Sequence, residues 1–236
     1  MIGEGGLALA TIAFVGTHLA LSHPLRLQLI RNLGEAGFTL LYSAVAFAAL
    51  GWMALEYMAL DTDVPRWIAP DWWWPVASAL MLVASILLVG SLIRNPAFPH
   101  PGANPASRKV RVATGVFAIT RHPMNMSFAL WALVHLSLWW SGRNLIVASG
   151  ILLLAIVGSI GQDRKKAASI GEPWRQWMAR TSFVPFGALL SGRAKWRDAA
   201  PGWIALLGGS AFWLAVVTFH APTVSPLVWI WQSASR

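Results

Sequence analysis

The sequence predicts an all-α integral membrane bundle of about six transmembrane helices with both termini on the outer side, and three observations predict it. Of the 236 residues, 56% are hydrophobic and 11% charged, whereas a soluble domain carries about 25% charged residues. Six stretches, taken below in order, are apolar over roughly the 20 residues that a helix needs to cross a hydrocarbon core about 30 Å thick. The basic residues gather in alternate connections between those stretches. The whole chain, 1–236, reads as one transmembrane domain.

The first stretch, 5–21, begins beside Glu4, lacks a basic region before it and a small-residue cleavage site after it, and so is not a removable signal peptide. The second is 36–57; the third, 72–93, opens on Trp72, Trp73 and Trp74. Residues 95–105 hold four prolines and Gly102, which predicts an extended loop. The fourth stretch, 124–140, follows Arg121-His122-Pro123, where proline suits a first helical turn. Residues 141–144, with Gly142, connect it tightly to the fifth, 145–160, as a helical hairpin. The segment 162–197 is long for a loop, and 163–181 within it suits an amphipathic interfacial helix with Trp174 and Trp177 toward lipid. The sixth stretch is 203–219.

Charge supplies the orientation. The connections after the first, third and fifth stretches hold 15 of the 18 Lys and Arg, among them Arg26, Arg31, Arg121 and Arg164. The other side holds Arg66, Arg143 and Arg236, with Glu4, Asp61, Asp63 and Asp71. Basic loops stay cytoplasmic, so the bacterial inner membrane is the simplest setting. Trp67, Trp72, Trp73, Trp74, Trp139, Trp140, Trp229 and Trp231 mark an outer interfacial belt; Trp174, Trp177, Trp196 and Trp203 mark an inner one. A net charge of +9 spread over loops that face anionic lipid is a topology signal, which excludes nucleic acid as a partner. The lipid bilayer is the first partner, and a hydrophobic small molecule, a homo-oligomer or a redox partner are compatible with it.

The chain has no cysteine, which excludes disulfides, thiolate nucleophiles, iron–sulfur clusters and cysteine-ligated zinc. Metal chemistry falls to six histidines. His18 and His135 lie inside apolar spans without adjacent charge, where an ionisable group faces a cavity, a cofactor or a neighbouring helix. Each alone reads equally well as a neutral ring donating to a carbonyl. Two of them on separate helices also suit axial ligation of a haem. Their offset along the membrane normal is about 10 Å, which a haem lying flat would absorb. His122 and His135 lie about 20 Å apart along one helix, so they share no metal. His122 with Arg121 suits a phosphate or carboxylate of a cofactor, or a plain helix cap. His23, His100 and His220 read as loop or interface residues, and Glu56 as a headgroup contact.

In sequence order, the chain carries His18 before Arg26 and Arg31; Tyr42-Ser43; Ile119-Thr-Arg-His-Pro123; Trp131-Ala-Leu-Val-His135; Asp163-Arg-Lys; Gly171-Glu172; Thr181-Ser-Phe-Val-Pro-Phe186; and Gly192-Arg193. In this series it resembles the NnrU-domain membrane proteins, a family with a bacterial branch and a plant carotene isomerase branch. The resemblance covers about three quarters of the chain and implies haem b, with His18 and His135 as axial iron ligands and Arg26, Arg31 or Arg121 toward the propionates. It further implies either isomerisation of a hydrophobic polyene or a redox role linked to nitric oxide and denitrification. The isomerase branch has a cysteine three residues before the second histidine; this chain has Ala132 there, so ligand exchange through a thiolate is not open to it.

A fainter likeness links Arg121-His122-Pro123, Gly171-Glu172 and Val184-Pro185 to membrane methyltransferases of the isoprenylcysteine and phospholipid type. That alternative implies S-adenosylmethionine held by His122 and Glu172. A structural or assembly factor without a cofactor is a third reading. A coloured purified protein separates the first from the other two.

Overall fold

The structure is a computed structural model and describes residues 3–60, 64–93, 95–96 and 112–220. The expected loop over 97–105, and His100, Arg94, Arg108, Lys109, Arg111, Asp61, Asp63, Trp229, Trp231 and Arg236, lie outside the described residues. Among the described residues the helices are α1 (Glu4–Ser22), α2 (Arg26–Met58), α3 (Trp73–Ser91), α4 (Val116–Ile119), α5 (Pro123–Leu138), α6 (Gly142–Ile170), α7 (Glu172–Arg180), α8 (Gly187–Leu190) and α9 (Trp203–Thr218). Two short strands, β1 (Trp67–Ile68) and β2 (Trp139–Trp140), pair antiparallel.

The all-α class holds, with corrections to the spans. Four helices, α1, α2, α3 and α6, are long and apolar enough to cross a membrane. Helices α5 and α9 have 16 residues each, so they rise about 24 Å, less than a core of about 30 Å. Helix α5 stops short of 140 because Trp139 and Trp140 leave it to pair with β1. Within the four long helices only 17–33% of the most apolar window is buried. The remaining apolar surface needs lipid, and a helix can present it there because its backbone groups are already satisfied.

Glycine sets the breaks that periodicity does not show. Gly34 takes φ 73, ψ 172 inside α2, a left-handed position that separates the two turns before it from the apolar run after it. Gly171, at φ 76, ends α6 and lets Pro173 open α7. Residues 163–181 are therefore divided between two helices, α6 running on past its apolar stretch through the charged residues 163–166 to Ile170, and α7 following. The lipid-facing placement of Trp174 and Trp177 is overturned: they are 3% and 6% exposed and pack on Leu87, Val116 and Phe117.

The chain forms two compact units. One comprises Met1–Ala69 and His135–Gly161, the other Pro70–Val134 and Gln162–Arg236, so the division falls inside α5 and α6. In the first, Leu7, Ala10, Phe14 and Val15 of α1 pack on Ala49 and Met53 of α2 and on Ile146, Val147, Ile151 and Leu154 of α6. Helices α1 and α2 run antiparallel, since Glu56 lies against Gly6 while Tyr42 lies against His18. Helices α1 and α6 run parallel: Glu4 lies against Gly142, Thr11 against Gly150 and His23 against Gly161. In the second unit α3 packs on α9 through small residues, and a side chain added at Gly209 would come 2.6 Å from the Ile86 backbone.

Candidate functional site

Two polar centres stand out, one in each unit. In the first, His18 sits one turn before the end of α1. Its Nδ1 donates to the Phe14 carbonyl at 2.8 Å, since a carbonyl can only accept. In the neutral ring that bond fixes the tautomer and leaves Nε2 with its lone pair. A ring nitrogen tied to a backbone carbonyl is the arrangement that orients metal-ligating histidines. The ring lies 4.3 Å from the Phe14 ring and 5.6 Å, edge on, from Tyr42. Tyr42 accepts from Ser22 at 3.4 Å and lies 6.0 Å from Phe38. The Arg26 guanidinium stands over Phe38 at 5.2 Å and 3.5 Å from Glu35. Arg26 thus ends a row of side chains that begins at His18, and Arg31, exposed, follows it on the segment before Gly34.

His135 belongs to the same unit, half-buried near the end of α5. Its carbonyl accepts from Asn144 Nδ2 at 2.9 Å, and the same amide reaches the Trp139 carbonyl. This fixes the end of α5 beside the start of α6. The α1 register, Thr11 at Gly150 and His23 at Gly161, places His18 roughly twelve residues further along α6, about 18 Å at 1.5 Å per residue. That is wider than the sequence-based offset. Side chains tilt toward the N-terminus of their helix, so the two imidazoles, on oppositely directed helices, lean toward each other's level. Among the described residues no three His, Asp or Glu converge as a metal cage. A haem, whose macrocycle supplies four ligands, asks less of the protein, and the donor set at His18 fits it.

The second centre is closed. Arg121 and His122 precede α5, and Gln162 and Asp163 lie on α6 within the same unit. Arg121 Nε donates to Asp163 Oδ2 at 2.6 Å. His122 Nε2 lies 3.0 Å from Asp163 Oδ1, close enough for attraction though out of line for a hydrogen bond. His122 Nδ1 is 3.0 Å from Gln162 Oε1, and its side chain is 1% exposed. Around it Thr120 donates to the Phe183 carbonyl, the Arg121 N–H to Ser182 and the Phe186 N–H to Ile119, clamping 182–186 onto 119–121. Phe183 covers the network, 5.6 Å from the His122 ring and 5.9 Å from the Arg121 guanidinium.

His122 is thus enclosed, with Nδ1 on Gln162 and Nε2 beside the Asp163 carboxylate, and Arg121 has its counter-ion. Glu172 lies exposed on α7, where Arg175 at 2.9 Å and Gln176 at 3.4 Å donate to it and hold its carboxyl below the ordinary value. The methyl-donor reading of His122 and Glu172 is not supported by this arrangement. Sequence reasoning missed Tyr42 and Asp163 as partners of the candidate histidines; their separations, 24 and 41 residues, carry no local signal. The one hint was an acid just past the end of an apolar run that must find a cation.

Comparisons with known proteins agree on the family. A family profile described as NnrU protein matches residues 6–226. The 15-cis-zeta-carotene isomerase, chloroplastic, of Zea mays is 34% identical over 84 residues, 35% of this chain and 22% of that protein. The enzyme of the same name from Arabidopsis thaliana is 34% identical over 82 residues, 34% of this chain and 22% of its own length. The matches therefore span about a fifth of the curated relatives. No solved structure matches the chain.

Proposed function

Since the chain belongs to the NnrU family, we propose that it is a membrane isomerase that rotates a cis double bond in a hydrophobic polyene, with haem b held by His18 and His135. The observation that carries this reading is the local 34% identity with two proteins named 15-cis-zeta-carotene isomerase. The His18 geometry supports the cofactor part. When bound, a haem iron would supply electron density that lowers the bond order of a conjugated double bond. The protein's own work is placement. His18 offers Nε2 because Phe14 holds Nδ1, His135 offers the second imidazole, and Arg26 with Arg31 suits the propionates by paired N–H donors. Arg121, committed to Asp163, is withdrawn from that role. Exposed apolar side chains of α1 and α2, Leu9, Ile12, Leu40 and Phe47 among them, are the surface by which a polyene would approach from the bilayer. The setting is the bacterial plasma membrane, with the basic connections inside.

The test is an absorption spectrum of detergent-purified protein, followed by incubation of vesicle-reconstituted protein with a 15-cis polyene and chromatography of the isomers. A Soret band, reduced in His18→Ala and in His135→Ala, and conversion to the trans isomer are expected. Colourless protein that takes up no hemin overturns the cofactor. Red protein that leaves the polyene unchanged overturns the isomerase and leaves the redox role linked to nitric oxide.

A further inference from the structure

A single hydrogen bond to its own helix holds Nδ1 of the His18 imidazole, and the ring is free to turn about its last side-chain bond only by breaking it. Two rings remove that freedom. Phe14, one turn earlier on α1, lies at 4.3 Å with 51° between planes, and Tyr42, from α2, lies at 5.6 Å with 76° between planes, an edge contact. The Tyr42 hydroxyl accepts from Ser22, one turn after His18 on α1, so the tyrosine spans the histidine and is tied beyond it. Phe38, one turn before Tyr42, lies 6.0 Å from it and is buried.

We propose that Tyr42 is the positioning residue of His18: it holds the imidazole so that Nδ1 stays on the Phe14 carbonyl and Nε2 is presented as a single, pre-oriented donor to a metal-centred ligand. The assignment rests on the proposed role of His18 as an axial ligand. Tyr42 acts through the ring and touches no reacting atom. Orienting partners of this kind typically change metal affinity by about 10–100-fold.

The experiment uses full-length protein in lipid nanodiscs and reads the histidine before and after hemin. In apo protein labelled with 15N-histidine, with the His18 signal identified by its loss in His18→Gln, one tautomer protonated at Nδ1 is expected. Tyr42→Leu is expected to give mixed tautomers and hemin affinity about tenfold weaker. Tyr42→Phe keeps the ring edge and is expected to restore both. Tyr42→Met, a flexible filler, repeats the test should the leucine variant misfold. A folded Tyr42→Leu or Tyr42→Met that retains the single tautomer and unchanged affinity overturns the proposal. Wild-type protein that takes up no hemin overturns the cofactor reading instead, and the tautomer measurement then decides the positioning role alone.

Discussion

Asp163 shows how much one buried carboxylate can organise. It faces Arg121 on one oxygen and His122 on the other, with 8% of its side chain exposed. Replacing it by Asn leaves a buried guanidinium without its counter-ion, which costs about 3–5 kcal/mol. Thermal unfolding in detergent is expected to show that loss, with hemin uptake at His18 unchanged. The sequence drew attention to Arg121 and His122 as a cofactor contact or a helix cap and not to Asp163, because a partner on another helix cannot be inferred from spacing. Trp174 and Trp177 repeat the lesson in apolar form. Their spacing marks one face of a helix, yet what covers that face depends on Phe117 and Val116, which arrive from more than 50 residues away. Trp177→Ala is expected to lose about 3–5 kcal/mol, the cost of emptying a large core position, where a lipid-facing tryptophan would cost far less.

At the scale of the element, apolar length was legible and the interruptions were not. The expected stretches 5–21, 72–93 and 203–219 end within a few residues of α1, α3 and α9, because hydrophobic runs bounded by Pro, Gly and charge leave few alternatives. Helix α2 starts ten residues earlier than expected, since Arg26 to Leu33 are helical despite their charge and only Gly34 breaks the run. Gly34→Ala forces a Cβ into a left-handed position, with a cost of about 1–2 kcal/mol; a lower unfolding temperature without loss of helical signal is expected. Gly209 is a second such position for a different reason. A leucine there has no room against Ile86, so α3 and α9 must part. Early cleavage by protease between them, with the first unit intact, is the outcome to look for.

At the scale of the molecule, the charge pattern over the loops sets a direction that labelling can read. Single cysteines, added to a chain that has none, should react with an impermeant thiol reagent from outside at Gly142 and from inside at Ser191. The reverse result would invert the orientation. The family and its helical class were legible because both are written in composition and in ordered motifs. The two-unit division was not, since it falls inside α5 and inside α6, which continues as helix past the expected end of its apolar stretch at 160. The pairing of β1 with β2 has a consequence for the bilayer itself. β1 leads into α3 and β2 follows α5 directly, and the Ala69 N–H donates to the Leu138 carbonyl, so the turn before α3 and the turn after α5 are held side by side. Were α3 to cross the bilayer, α5 would be the helix to bring the chain back to the second of those turns. A return path of 16 residues is about 6 Å too short for an average hydrocarbon core. A bilayer that accommodates such a return would be drawn thin beside the helix that carries His135, so thermal stability in vesicles of graded acyl-chain length is expected to peak at chains shorter than average.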